Sequence, residues 1–126
     1  MSREFVPYDI ALAMKELGFD EPCIFYYAPD AITISKPTTG VCSSDRYGII
    51  ASPLYQQAFR WFREKYNLFI LMQVGQHNGE HQTFYFNVFK YGVNLYKSKH
   101  RSATGTYTYE EAEHEALRKL IEEVQL

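Results

Sequence analysis

The sequence predicts an α+β protein in which three helices pack with an antiparallel sheet. Two observations carry this prediction. Asn78-Gly79 is the dipeptide most typical of a tight hairpin turn, and strand-like segments flank it on both sides. Thr108 and Glu111 have the spacing of a capping box at the start of a helix. Because hairpins and not crossover helices join the strands, we expect the strands to pair antiparallel.

The first part of the chain should contain a helix followed by a hairpin. The helix begins near Pro7, which suits a first helical turn, and it ends at Gly18, which supplies a left-handed stop. Two strands are expected at residues 23–27 and 32–35, around a turn that contains Pro29.

A surface loop and a second helix should follow. The loop, residues 36–51, is rich in proline, threonine, glycine and serine and has room for a short strand at 47–51. Ser52 and Pro53 then open the second helix, with the serine as its N-cap, and the helix ends by Asn67. Its wide apolar face consists of Leu54, Tyr55, Ala58, Phe59, Trp61, Phe62 and Tyr66.

The last part should contain two or three strands and a helix. Residues 68–74 and 83–91 form the arms of the hairpin, and Gly92 ends the second arm before a short third strand at 93–96. The order is therefore α-β-β-loop-α-β-β-(β)-α, in a single domain over residues 1–126. The buried stripe of the last helix should be Ala112, Ala116, Leu117, Leu120, Ile121 and Val124.

The composition is that of an ordinary globular protein with an excess of aromatic residues. Of the 126 residues, 46% are apolar and 22% are charged, so most of the chain should fold. The net charge of −2 provides no basic field to draw the whole chain onto nucleic acid or an anionic membrane. The 11 tyrosines are too many to bury completely, so some should reach the surface, where tyrosine favours recognition.

The cysteines and the first residues indicate a cytoplasmic protein. Cys23 and Cys42 do not form a C-x-x-C pair, and residues 1–7 lack the apolar segment of a secretory signal. We therefore expect two reduced thiols. The longest apolar run, residues 68–72, is too short to span a bilayer, so no membrane partner is expected.

Familiar catalytic motifs are absent from the sequence. It has no nucleophile elbow, phosphate-binding glycine loop, dinucleotide fingerprint or zinc-protease motif. We therefore expect no catalytic residues, no cofactor and no enzymatic activity. His77 and His81 lie beside Glu80, but they flank a tight turn and lack the helical geometry that brings two imidazoles onto one metal. We interpret them as a solvated hairpin tip and expect no metal site.

Basic and aromatic residues are the candidates for a binding site. The one dense basic cluster lies in the loop before the last helix and could contact phosphate, although we favour a solvated loop. Arginines on the polar face of the second helix have the same two interpretations, and adjacent tyrosines in the first strand are the aromatic candidates. The candidate binding residues are Lys97, Lys99, His100, Arg101, Arg60, Arg63, Tyr26 and Tyr27.

The part of the chain from Ser52 onward has the order helix, two or three strands, helix, with an alternating aromatic strand at residues 84–89. This arrangement resembles the double-stranded RNA-binding domain. That family carries a lysine pair at the start of its last helix to grip phosphates, whereas this chain has Tyr109, Glu110 and Glu111 there. The resemblance therefore implies a topology and not an RNA-binding activity.

Four segments carry a second resemblance: FVPY at residues 5–8, LGFDEPC at 17–23, SPLYQQAFRWFREKY at 52–66 and TYEEAE at 108–113. Through them most of the chain is similar to a family of small uncharacterised proteins of Bacteroides-type gut bacteria and their phages. The middle loop and the Asn78 hairpin differ most. This resemblance implies a phage or mobile-element origin and carries over no catalytic residue.

These observations leave three functional hypotheses. The favoured one is a non-enzymatic phage or mobile-element accessory protein that binds an unknown protein partner through exposed aromatic residues. The second is binding of nucleic acid or a nucleotide through the basic loop 97–101. The third is a small enzyme without a recognisable motif. A homodimer is also open, because a free hairpin edge could pair across a two-fold axis.

Overall fold

The computed structural model describes residues 5–28, 34–35, 49–75, 83–97 and 109–125. Within these residues the chain forms three helices and six strands, and the strands are divided between two antiparallel sheets. The predicted α+β fold class and the antiparallel pairing are confirmed. None of the helices in the described residues is long and apolar enough to cross a membrane.

The chain divides into two compact units, Met1–Ala58 and Phe59–Leu126, and each unit contains one of the sheets. The first unit begins with α1, Tyr8–Glu16. Gly18, with φ 102°, ends this helix in the left-handed conformation. The N–H groups of Gly18 and Phe19 donate to the carbonyls of Lys15 and Met14, at 3.0 and 2.9 Å, in the Schellman pattern. The predicted start and glycine stop of this helix are confirmed to within one residue.

The sheet of the first unit consists of β1 (Phe25–Tyr27), β2 (Ile34–Ser35) and β3 (Ile50–Ser52). Its strand order is β2-β1-β3, and both pairings are antiparallel. The expected pairing of the first two strands is thus confirmed. The short strand expected at 47–51 is present as β3, whose three residues are all buried.

The predicted N-cap role of Ser52 is wrong. Ser52 ends β3, and α2 begins three residues later and runs over Tyr55–Tyr66. The Ser52 hydroxyl donates instead to the Val6 carbonyl at 2.7 Å. A serine followed by proline is typical of a helix start, where the hydroxyl oxygen accepts from a backbone N–H, but here the hydroxyl donates to a carbonyl that lies 46 residues away in the sequence. The helix ends at Tyr66, and Asn67, which follows it, takes up the left-handed conformation at φ 57°.

The sheet of the second unit consists of β4 (Leu68–Gly75), β5 (Thr83–Lys90) and β6 (Val93–Lys97), in that order. β4 and β5 pair without a register shift from Leu68 opposite Lys90 to Gly75 opposite Thr83. This pairing confirms the predicted hairpin arms, whereas the Asn78-Gly79 turn lies outside the described residues. The third strand, which the sequence analysis gave as optional, is present as β6.

The last helix, α3, covers Tyr109–Gln125 and packs on β4 and β5. Thr108, the residue of the predicted capping box, lies outside the described residues. Val124 is half-buried and the rest of the predicted stripe is fully buried, so the periodicity located this face correctly. The fully buried residues are Ala112, Ala116, Leu117, Leu120 and Ile121.

Candidate protein-binding face

The β4-β5-β6 sheet has two sides of different character. One side packs on α3, where the rings of Phe84 and Tyr109 meet edge to face at 5.4 Å and where Phe86 and Val88 are buried. Since strand residues alternate between sides, the residues between these point away from α3. We call this second side the outer face, and it consists of Phe69, Leu71, Gln73, Tyr85, Asn87, Phe89, Asn94 and Leu95.

The register of the strands brings the outer-face residues together. Phe69 pairs with Phe89, Leu71 with Asn87, and Gln73 lies opposite Tyr85. On β6, Lys97 pairs with Asn87 and Tyr96 with Val88, so alternation along this part of the strand places Leu95 on the same side as Asn87. Leu95 is the extra residue at the register shift that follows, beyond which Asn94 pairs with Phe89 and Val93 pairs with Lys90 on the other side of the sheet. β5 therefore alternates, with Tyr85, Asn87 and Phe89 on the outer face and Phe84, Phe86 and Val88 on the side of α3.

Large apolar side chains on this face stay in contact with solvent. Phe69 is 44% exposed, Leu71 46% and Leu95 41%. An antiparallel sheet with a helix layer on one side ordinarily turns polar side chains to water on the other. The outer face departs from that rule, because both of its edge strands present large apolar groups.

A buried amide lies at the centre of this face. Asn87 is only 6% exposed, and its Nδ2 donates to Gln73 Oε1 at 3.1 Å. Its Oδ1 atom is buried without a hydrogen-bond partner. An unsatisfied buried acceptor costs about 1–3 kcal/mol, so apolar neighbours alone would be a more stable filling for this position. Asn87 therefore gives the outer face a polar centre at a cost in stability.

Two of the sequence candidates, Tyr26 and Tyr27, lie on opposite sides of β1, because neighbouring strand residues point in opposite directions. They cannot form one patch. The Tyr27 hydroxyl donates to the Val6 carbonyl at 3.1 Å, and its ring meets Tyr8 edge to face. Burial raises the pKa of Tyr27, the charge of Asp9 raises it further, and a hydrogen bond with Ser52 acts in the opposite direction. These contacts give Tyr27 a structural role.

The basic candidates are only partly described. Arg60 and Arg63 are exposed on α2, and Arg60 Nε lies 3.4 Å from Glu64 Oε1 in an exposed ion pair. Such a pair contributes little stability, and it partly neutralises this surface. Lys97 is the last residue of β6. The remaining basic candidates, Lys99, His100 and Arg101, lie outside the described residues, so a binding site formed by this set stays a prediction.

The residues considered for metal binding are also mostly undescribed, since His77, Glu80, His81 and Cys42 lie outside the described ranges. In the part of the chain that is described, no group of three or more histidine, cysteine or acidic side chains is placed to hold a metal ion. Cys23 is buried, and its thiol donates to the Glu21 carbonyl at 3.4 Å.

One titratable residue was missed by the sequence analysis. Glu113 is buried on α3, and burial raises the pKa of its carboxyl group, with the neighbouring charge of Glu110 acting in the same direction. The helical spacing of the sequence could have predicted this burial. Glu113 precedes Ala116 by three residues and Leu117 by four, which places it within the buried stripe of the helix.

The exposed apolar residues were also missed as surface groups, although the sequence contains a signal for them. Leu68 to Met72 is apolar at every position, whereas a strand with one wet side should alternate. A continuous apolar run in such a strand indicates that apolar side chains lie on both sides of the sheet.

No protein-family model, curated protein sequence or solved structure matches the chain.

Proposed function

We propose that this protein is a non-enzymatic binding protein, and that its outer face receives an apolar segment of a partner protein. The observation that carries this proposal is the exposure of Phe69, Leu71 and Leu95 on the side of the sheet away from α3. A grouped set of exposed apolar side chains is typical of protein interaction sites.

The chemistry of the face suits a protein partner better than a nucleic acid. Aromatic and aliphatic groups surround the Gln73–Asn87 amide pair, and an interface of this kind combines an apolar contact area with a few polar groups that set orientation. Each of the three exposed apolar side chains would contribute about 1 kcal/mol when its remaining surface is covered. β4 contains no basic residue, and the one basic residue of β5, Lys90, pairs with Leu68 on the side of the sheet that packs on α3.

The biological setting is part of the same proposal. The likeness of residues 5–8, 17–23, 52–66 and 108–113 to proteins of gut bacteria and their phages supports an accessory protein of a phage or mobile element. On this basis the partner is a host or phage protein encountered in the cytoplasm.

The proposal is tested by capture from a lysate of a Bacteroides-type bacterium with immobilised wild-type protein and two matched variants. Leu95→Glu places a charge on the outer face. Val93→Glu places the same charge on β6 at a residue that is 60% exposed and pairs with Lys90, on the other side of the sheet. We expect one protein to be retained by the wild type and by Val93→Glu and to be lost with Leu95→Glu.

Two outcomes would contradict this function. Retention of the same proteins by all three baits would show that the outer face is not the binding site. Absence of any retained protein, together with a shift of RNA, DNA or nucleotide mobility at low salt, would replace protein binding by the nucleic-acid alternative. Circular dichroism of each bait verifies that the variants are folded.

A further inference from the structure

The edges of the two sheets differ in how well they are protected against pairing with another chain. In the first unit the edge strands of the described sheet are β2 and β3, with two and three residues. In the second unit the edges are β6, with five residues, and β4, with eight. Short edge strands offer few free backbone groups, so β4 is the edge of most interest.

β6 has features that discourage pairing, and β4 has none of them. The register between β5 and β6 shifts at Val88 and Phe89, and β6 ends at a lysine. Bulges and lysines are the usual protection of an edge strand. β4, with the sequence LFILMQVG, contains no charged residue and no proline and pairs with β5 without a shift. It is the longest edge strand of the described sheets, and it carries no charge.

We propose that a second copy of this chain pairs antiparallel along β4, so that two sheets join across a two-fold axis into one. For two edge strands to lie side by side and antiparallel, the axis must be perpendicular to the sheet, and each side of one sheet then continues into the same side of the other. Outer-face residues therefore pair only with outer-face residues. With the axis at Leu71, the two Leu71 side chains meet, and Phe69 lies opposite Gln73 of the second copy.

The same register also suits the side of the sheet that packs on α3. There Ile70 faces Met72 of the second copy, and Leu68 faces Val74. Val74 is 62% exposed, and this pairing gives it an apolar neighbour. Cross-strand apolar pairs stabilise a sheet, whereas like charges directly opposite each other destabilise it. Because β4 has no charges, its self-pairing brings no like charges together, and this self-complementarity favours a second copy over a charged partner strand.

Pairing along the β4 edge uses backbone groups and leaves the outer face open. It therefore does not depend on the proposed function, and it would place two copies of the outer face side by side on one continuous sheet. The experiment needs only the purified full-length protein, so its failure is distinguishable from a failure to find a partner.

Molar mass in solution, measured by light scattering after size exclusion, tests this inference. We expect a dimer for the wild type, monomers for Leu71→Lys and for Leu71→Glu, and a restored dimer when these two variants are mixed in equal amounts. Leu95→Lys is the matched control, since Leu95 is about as exposed and lies on the same side of the sheet at its other edge; it should stay dimeric.

A monomeric wild type at high micromolar concentration would overturn the inference, as would a dimer that persists in both Leu71 variants. Loss of the dimer in Leu95→Lys to the same extent would also overturn it, because the contact would then lie on the face and not at the edge. If circular dichroism shows that the Leu71 variants are unfolded, the same comparison is made with Val74→Lys and Val74→Glu.

Discussion

The backbone N–H and carbonyl groups of Val6 join the first residues of the described chain to β1 and to the segment that follows β3. Its N–H donates to the Pro53 carbonyl at 2.9 Å, and its own carbonyl accepts from the hydroxyls of Ser52 and Tyr27. Val6 is fully buried, so these groups have no water to bond with. The side chains of β1 and β3 therefore fix the segment that leads into α1.

This arrangement predicts a coupled effect of two substitutions. Ser52→Ala or Tyr27→Phe alone should lower the free energy of unfolding by about 1 kcal/mol, because the Val6 carbonyl keeps the other donor. The double variant leaves that carbonyl unsatisfied and should lose more than the sum. Urea unfolding of the four proteins measures the coupling. Tyr26→Phe, on the other side of β1, serves as the control with little change, and strictly additive losses would contradict the account.

Glu113 makes a prediction about pH. The pKa of its carboxyl group is raised in the folded protein by burial and by Glu110, so its ionisation opposes folding. This destabilisation is absent below the unfolded pKa of about 4.3 and is complete once the pH exceeds the raised pKa. Glu113→Gln should therefore stabilise the protein by up to about 1 kcal/mol at pH 7, and the gain should vanish near pH 4.

Unfolding of the wild type and of Glu113→Gln at pH 4 and pH 7 checks this expectation. Glu115→Gln is the matched control, since it removes the same charge from a half-buried position on the same helix. A Glu113→Gln variant that is less stable than the wild type at pH 7, or whose effect does not depend on pH, would contradict the assignment.

Glu113 and Ser52 differ in how far their environments could be predicted from the sequence. The burial of Glu113 follows from helical periodicity and could have been predicted. The role of Ser52 could not, because its acceptor is the carbonyl of Val6, which lies 46 residues away in the sequence. A local pattern such as serine-proline carries no information about a contact at that separation.

At the scale of elements, the turn between β5 and β6 has an unusual residue. Tyr91 and Gly92 have φ values of 51° and 79°, the positive values that a type I′ hairpin turn requires at both central positions. Glycine adopts this conformation without strain, but tyrosine does so at a cost of about 1 kcal/mol or more. The Tyr91 side chain is 75% exposed, so the packing of a core does not explain its presence.

Tyr91→Asn should therefore stabilise the protein by about 0.5 kcal/mol, because asparagine tolerates the left-handed conformation and the loss of the exposed contact of Lys90 with the ring is small. Gly92→Ala should destabilise by about 1 kcal/mol. No atom lies within 4 Å of the added methyl group, so this cost reports backbone strain alone. Thermal unfolding measures both, and a destabilised Tyr91→Asn would show that the ring contributes more than its strain.

The elements themselves were largely predictable, because their signals are local. Gly18 ends α1, the arms of the second hairpin pair as expected, and the stripe of α3 is buried apart from the half-buried Val124. The Tyr91-Gly92 turn was anticipated only as a break in the strand. Tyrosine is not typical of a position with positive φ, so the sequence did not indicate the type of this turn.

At the scale of the whole molecule, the chain contains two compact units with the boundary inside α2. The absence of a linker in the sequence leads us to expect one cooperative domain. Thermal unfolding followed by far-ultraviolet circular dichroism, which reports on both units, should then coincide with unfolding followed by fluorescence of Trp61, which lies in the second. Two separate transitions would show that the units fold independently.

The position of the candidate face was not predictable from the sequence, and the reason is physical. Composition and periodicity show that side chains are apolar, but only the arrangement of strands and helices shows which of them remain exposed. Phe69 and Leu71 belong to an apolar run that is typical of a buried strand. The pairing of β4 with β5 places both on the side of the sheet away from α3, where they are exposed. The candidate face thus emerges from the sheet and not from any motif.

The affinity of the captured partner for the wild type, Leu95→Glu and Val93→Glu tests the role of the outer face most directly. An unpaired charge that is buried in an apolar interface costs more than about 1.4 kcal/mol, which corresponds to tenfold in Kd, so we expect Leu95→Glu to weaken binding at least about tenfold. Val93→Glu should bind as the wild type does. Equal affinities of all three proteins would contradict the outer face as the binding site.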